Sequence, residues 1–150
     1  MIVDSVMFRR IAVCDDAVLA FPDGLIGLPG TRYVLLPHAE SSPFLWLHSA
    51  EHPDVAVPVT RPWAFFPVYE VKLNVGYSRQ LALEAPEQAV ILCVVRAAEK
   101  LRDCTADLAA PVVVNTATRL GYQIINEAGG YSVRHPLLPE EQSRAVRARA

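Results

Sequence analysis

Twelve prolines, outnumbering the seven glycines, are scattered through a chain of 150 residues. Inside a helix, proline removes a backbone hydrogen bond, and its ring clashes with the carbonyl one turn back. At this density it interrupts helices repeatedly, so a bundle of long helices is excluded. What the prolines leave is extended chain. Apolar segments recur between Pro, Gly, Asp and Ser clusters with a period of two rather than 3.6, the pattern of a mainly β domain.

That period predicts strands over Val6–Val13, Tyr33–Leu36, Phe44–His48, Val55–Thr60, Tyr69–Leu73 and Ala89–Arg96. In Phe44–His48, aromatic and aliphatic side chains alternate, so both faces are expected to be covered. Pro58 should place its strand at an edge or a bulge. Phe21-Pro-Asp-Gly-Leu-Ile-Gly-Leu-Pro-Gly reads as a turn-rich connector, because Pro presets φ and Gly accepts positive φ. A short helix is expected over Tyr77–Leu83, ended near Ala85 by Pro86. Pro111–Thr116 and Tyr122–Asn126 read as a hairpin across Thr118–Gly121, followed by Tyr131–Arg134 after the Gly129-Gly130 turn. From Pro139 the acids come first and the arginines last, which suits a helical or frayed tail. One domain over 1–138 with a tail over 139–150 is the expected organisation. Trp46, Val90, Leu92, Val94, Val112 and Val114 are the expected core.

Composition narrows the function classes. With 52% hydrophobic and 20% charged residues, the chain is far from the signature of disorder. Fourteen Lys and Arg against sixteen Asp and Glu leave a net charge of -2, without the basic balance of a general nucleic-acid binder. The longest apolar run, Ala89–Val95, falls far short of the roughly 20 residues of a membrane span. No secretory pattern opens the chain, and three widely spaced cysteines (Cys14, Cys93, Cys104) form no metal-binding spacing, so reduced thiols in the cytoplasm are expected.

Chemistry-bearing motifs are missing: no GxSxG, HExxH, phosphate loop or Rossmann fingerprint. Gly24, Gly27 and Gly30 follow a turn and read as turn glycines rather than a phosphate cradle. His48 and His52 stand four apart, a spacing that would pair them on a helix but loses its meaning in a β-patterned run before Pro53. No Ser, His and acid can be grouped. His135, before Pro136, reads as a hydrogen-bonded structural residue ahead of a general base. The aromatic loop Trp63-Ala-Phe-Phe-Pro-Val-Tyr69 supplies either core anchors or a protein-contact patch.

Seven collinear blocks carry a family resemblance. They are Phe21-Pro-Asp-Gly-Leu-Ile-Gly-Leu-Pro-Gly, Ser42-Pro-Phe-Leu-Trp-Leu-His-Ser, His52-Pro-Asp-Val-Ala-Val and Phe65-Phe-Pro-Val-Tyr-Glu. Ala106-Asp-Leu-Ala-Ala-Pro-Val-Val-Val-Asn-Thr, Arg119-Leu-Gly-Tyr-Gln-Ile-Ile and Tyr131-Ser-Val-Arg-His-Pro-Leu complete the set. Over residues 2 to 138 the chain resembles the FliW family of flagellar assembly factors.

The resemblance implies a small antiparallel β-barrel-like domain that is not an enzyme and needs no cofactor or metal. Its implied partners are flagellin and the translational repressor CsrA, which blocks the ribosome-binding region of flagellin mRNA. Accumulated flagellin occupies the FliW-like protein and frees CsrA to repress; export of flagellin reverses this. Direct nucleic-acid or membrane binding is not implied. Family members are thought to act on CsrA away from its RNA-binding face, with their negative charge repelling RNA. The chain departs from the family pattern at Arg61, usually an acid, at Pro58, usually aromatic, and at Leu120 and Tyr122, commonly basic. Phe65, Phe66, Tyr69, Asn115, Arg119, Arg134 and His135 are the expected partner-binding residues, although Asn115, Arg134 and His135 could equally tie loops together. The alternative is a small-ligand-binding or enzymatic β-barrel whose pocket is invisible in sequence. A direct RNA binder is the weakest reading, given the charge.

Overall fold

A computed structural model describes residues 1–138. The expected tail, 139–150, lies outside the described residues. Eleven strands and one α-helix follow in order: β1 (Ile2–Ser5), β2 (Arg9–Ala12), β3 (Leu19–Ala20), β4 (Arg32–Pro37), β5 (Phe44–Ser49) and β6 (Ala56–Thr60). Then come α1 (Val75–Gln80), β7 (Ala89–Arg96), β8 (Thr105–Ala106), β9 (Val112–Asn115), β10 (Gly121–Gln123) and β11 (His135–Pro136).

The main sheet runs β10-β9-β7-β6-β5-β4-β3, antiparallel throughout, with β8 pairing β7 and β11 pairing β8. It is mainly β with one short helix, and its barrel is not closed. The two ends of the path meet at one parallel bridge, Ala20 with Leu120, and at the hydrogen bond from the Ala20 N–H to the Arg119 carbonyl at 2.9 Å. β3 is two residues long and Pro22 follows, so the chain offers no further N–H row for a ladder at this seam.

Four local expectations are corrected. Val6–Val13 is not one strand. Ser5 Oγ accepts the N–H groups of Met7 and Phe8 at 3.1 and 3.0 Å, which turns the chain into a β1–β2 hairpin with Val6, Met7 and Phe8 exposed at its tip. Tyr69–Leu73 forms no strand: side chains tie it down, with Asn126 Oδ1 accepting from the Lys72 N–H at 3.0 Å and the Tyr131 hydroxyl from the Glu70 N–H at 3.1 Å. The last strand is β11 rather than Tyr131–Arg134. The helix starts two residues early because Asn74 caps it, its side chain accepting the Tyr77 N–H at 2.9 Å.

Pro58 is a finer case. β6 is an inner strand, but β7 pairs only with its Val59 and Thr60, so Pro58 stands where no β7 partner needs its missing N–H.

Leu92, Val112 and Val114 are buried in the main core with Phe21, Tyr33 and Leu47. Trp46, Val90 and Val94 are only half-buried. Val90 and Val94 pack on the margin of that core, whereas the Trp46 ring turns to the other face, 5.7 Å from the His38 ring. A second cluster, with Tyr69, Cys93, Cys104 and Leu108, lies beneath the aromatic loop.

Candidate functional site

Pro62 opens a tight turn over Pro62–Ala64, where its fixed φ suits the first helical position. The N–H groups of Phe65 and Phe66 both return to the Pro62 carbonyl, at 3.0 and 2.8 Å, so the aromatic loop is wound rather than loose. Its rings form a continuous row. Phe44 meets Phe65 at 5.7 Å, Phe65 meets Phe66 at 6.4 Å, and Phe66 meets the His135 ring edge-on at 5.1 Å. The structure therefore brings Phe65, Phe66 and His135 together, half-buried, with Arg134 exposed beside them in the chain. Trp63 and Val68 stand out from the same loop, 43% and 86% exposed, and sequence reasoning did not single them out individually.

Tyr69 and Asn115 lie inside the fold rather than on its surface. Tyr69 is 3% exposed; its hydroxyl donates to the Leu108 carbonyl at 2.7 Å and accepts from Asn126 Nδ2 at 3.2 Å. Burial, reinforced by the neighbouring Cys93 thiol, holds the Tyr69 phenol well above its ordinary range. Burial likewise pushes the Cys93 thiol up to about 12. A thiol held protonated in this way is no nucleophile at neutral pH. Asn115 is fully buried and joins the helix end to the β9–β10 turn.

Arg119 sits apart from the aromatic row, exposed at that turn in the left-handed region, with φ +63°. Its N–H donates to the Asn115 carbonyl at 2.8 Å, while its own carbonyl holds Ala20. Asn126 is a structural support that sequence reading did not single out. Besides Lys72 and Tyr69 it holds the Glu70 carbonyl at 2.8 Å, and the Gly129-Gly130 turn nearby was the available signal.

The sequence alone grouped no serine with a histidine, but the fold does. His48 Nδ1 donates to the Ser49 carbonyl at 2.6 Å, which leaves Nε2 to accept the Ser5 hydroxyl at 2.7 Å. Both side chains are buried, and Ser5 Oγ already serves two backbone N–H groups. The pair pins the β1–β2 hairpin to β5.

A model of the FliW protein family matches residues 2–137. The chain belongs to the FliW family. It is 37% identical over 149 residues to the flagellar assembly factor FliW of Desulfitobacterium hafniense (strain DSM 10664 / DCB-2), covering 97% of each chain. It is 33% identical over 147 residues to the FliW of Bdellovibrio bacteriovorus, covering 97% of this chain and 84% of that one. A crystal structure of the flagellar assembly factor FliW matches with a TM-score of 0.86 at 29% identity, covering 94% of this chain and 99% of the other. These FliW relatives are named for flagellar assembly and not for a reaction, and flagellum assembly is the process in which this family member stands. Among the described residues no helix is long and apolar enough to cross a membrane.

Proposed function

We propose that this chain binds flagellin and antagonises the translational repressor CsrA in the bacterial cytoplasm, coupling flagellin synthesis to flagellum assembly by partner switching. The full-length likeness to FliW proteins carries this reading, since it spans every element of the fold and not one motif. The mechanism is mass action: whatever fraction of the protein flagellin occupies is withdrawn from CsrA. No chemical step, metal or cofactor enters it, and neither nucleic acid nor membrane is contacted directly. Residues 1–138 form the binding domain, with 139–150 as an appended tail.

A rigid β scaffold presenting loop residues is suited to such work. Phe65, Phe66 and His135 supply one contact face, Arg134 borders it from the adjacent position in the chain, and Arg119 supplies a second point at the β9–β10 turn. Tyr69 and Asn115 act from below by holding these segments in place. At Arg61, Pro58, Leu120 and Tyr122 the departures from the family pattern bear on partner affinity.

Arg119→Glu tests the second point. The side chain is exposed and makes no ion pair among the described residues, so reversal should leave the melting temperature unchanged. Affinity for flagellin or for CsrA should fall by about tenfold or more, as for a desolvated interfacial charge. Unchanged affinity for both, read by titration calorimetry, would remove this turn from the interface.

A further inference from the structure

One cleft of about 630 Å³ lies on the opposite face of the β8–β11 pairing from the His135 ring, between the connector at Ile26–Leu28 and the strand ends of β7, β8 and β11. Strand register explains its chemistry. Arg96 on β7 stands directly opposite Thr105 on β8, and Thr105 is opposite Pro136 on β11. Side chains two residues apart share a face of a sheet. Val94, Asp107 and Arg134 therefore project on the same side as Arg96 and Thr105. The Asp107 N–H bonds the Val94 carbonyl at 2.9 Å, which continues that register.

The polar groups of this face are only partly used. Among the described residues neither Arg96 nor Arg134 makes an ion pair, although both line the cleft. Two guanidinium groups on one face can hold an anion by charge-assisted hydrogen bonds more strongly than one alone. The Thr105 hydroxyl is buried and has no hydrogen-bond partner, which is unusual in a folded chain and costs stability unless something completes it. Asp107 also lines the cleft, with its Oδ1 taken by the Ala110 N–H at 3.0 Å. Ile26 and Val133, both largely exposed, make an apolar rim.

We propose that this face is a binding site for a small organic anion, whose phosphate or carboxylate group is held by Arg96 and Arg134 and hydrogen-bonded by Thr105, and whose short apolar part rests on Ile26 and Val133. The site shares Arg134 with the proposed partner contact but does not depend on that reading: it asks only for the described domain and a small ligand, and Arg96 and Thr105 belong to it alone.

The full chain, labelled with ¹⁵N, is titrated separately with inorganic phosphate and with hexanoate while its backbone amides are followed by NMR. The expected result is saturable shifts at Ile26–Leu28, Val94–Arg96 and Thr105–Asp107. Arg96→Gln and Arg134→Gln should each weaken binding about tenfold, the size of a lost charge-assisted contact. Arg79→Gln, on α1 and outside the cleft, removes the same charge and should leave binding unchanged. Thr105→Val has no native bond to lose, so it should fold normally and still weaken binding. Saturation by phosphate alone identifies a phosphate ligand, and by hexanoate alone a carboxylate. Shifts that grow linearly with both anions, or that respond equally to Arg79→Gln and Arg96→Gln, would overturn the site. Undiminished affinity in Thr105→Val would do the same for the hydroxyl's part in it.

Discussion

Replacing Asn115 with leucine is expected to destabilise the protein by about 2–6 kcal/mol, from two strong buried hydrogen bonds at roughly 1–3 kcal/mol each. The side chain is fully buried, and every polar atom on it is occupied. Nδ2 donates to the Leu81 carbonyl at 2.7 Å and the Ala82 carbonyl at 3.3 Å, while Oδ1 accepts from Ala117 at 2.8 Å and Thr118 at 3.3 Å. Leucine fills a similar volume but leaves these backbone groups unpaired. Two corners then loosen together: the end of α1, where Ala82 is held with φ +53°, and the β9–β10 turn that carries Arg119. Urea unfolding measures the loss. A cost below about 0.5 kcal/mol, the range of a plain surface change, would show that water replaces these bonds without penalty.

Leu92→Ala is expected to cost about 2–5 kcal/mol, the range for truncating a fully enclosed leucine. Leu92 is 0% exposed and stands opposite Val112, in the strand that β6, β8 and β9 all share. A cavity there has walls on every side and little room to collapse. Since whole domains are stable by only about 5–15 kcal/mol, either of these two substitutions removes a large share. Val90→Ala, in the same strand but half-buried, should cost distinctly less by thermal unfolding. Unfolding of Leu92→Ala at the parental temperature would contradict the placement of β7 at the centre.

Strands β4, β5, β7 and β9 were legible because each is a short apolar run bounded by turn residues. Elements whose geometry is set by distant partners were not. Nothing within Val6–Val13 announces that Ser5, held by His48 from 43 residues away, will fold the segment back on itself. The extended stretch after Tyr69 has strand-like composition, yet Asn126 and Tyr131 take the N–H groups that a ladder would need. The same limit applies to the site. Tyr69 and Asn115 sit in blocks shared with a binding family, and a block does not say whether a polar side chain points out or in. Leu108 and Leu81, the carbonyls that claim them, lie 39 and 34 residues away. Phe66 and His135 come together only through the β8–β11 pairing, which no periodicity foretells.

Competition is the most direct test of the proposed partner switching. Titration calorimetry of the full chain with CsrA, repeated at rising flagellin concentration and in the presence of EDTA, reads it in one experiment. CsrA and flagellin should each bind at a fixed molar ratio that EDTA does not alter. The apparent affinity for CsrA should fall in proportion to flagellin occupancy, as mass action requires. CsrA affinity that stays constant at saturating flagellin would contradict the exclusion of one partner by the other, and failure to bind either protein would contradict the proposed function altogether.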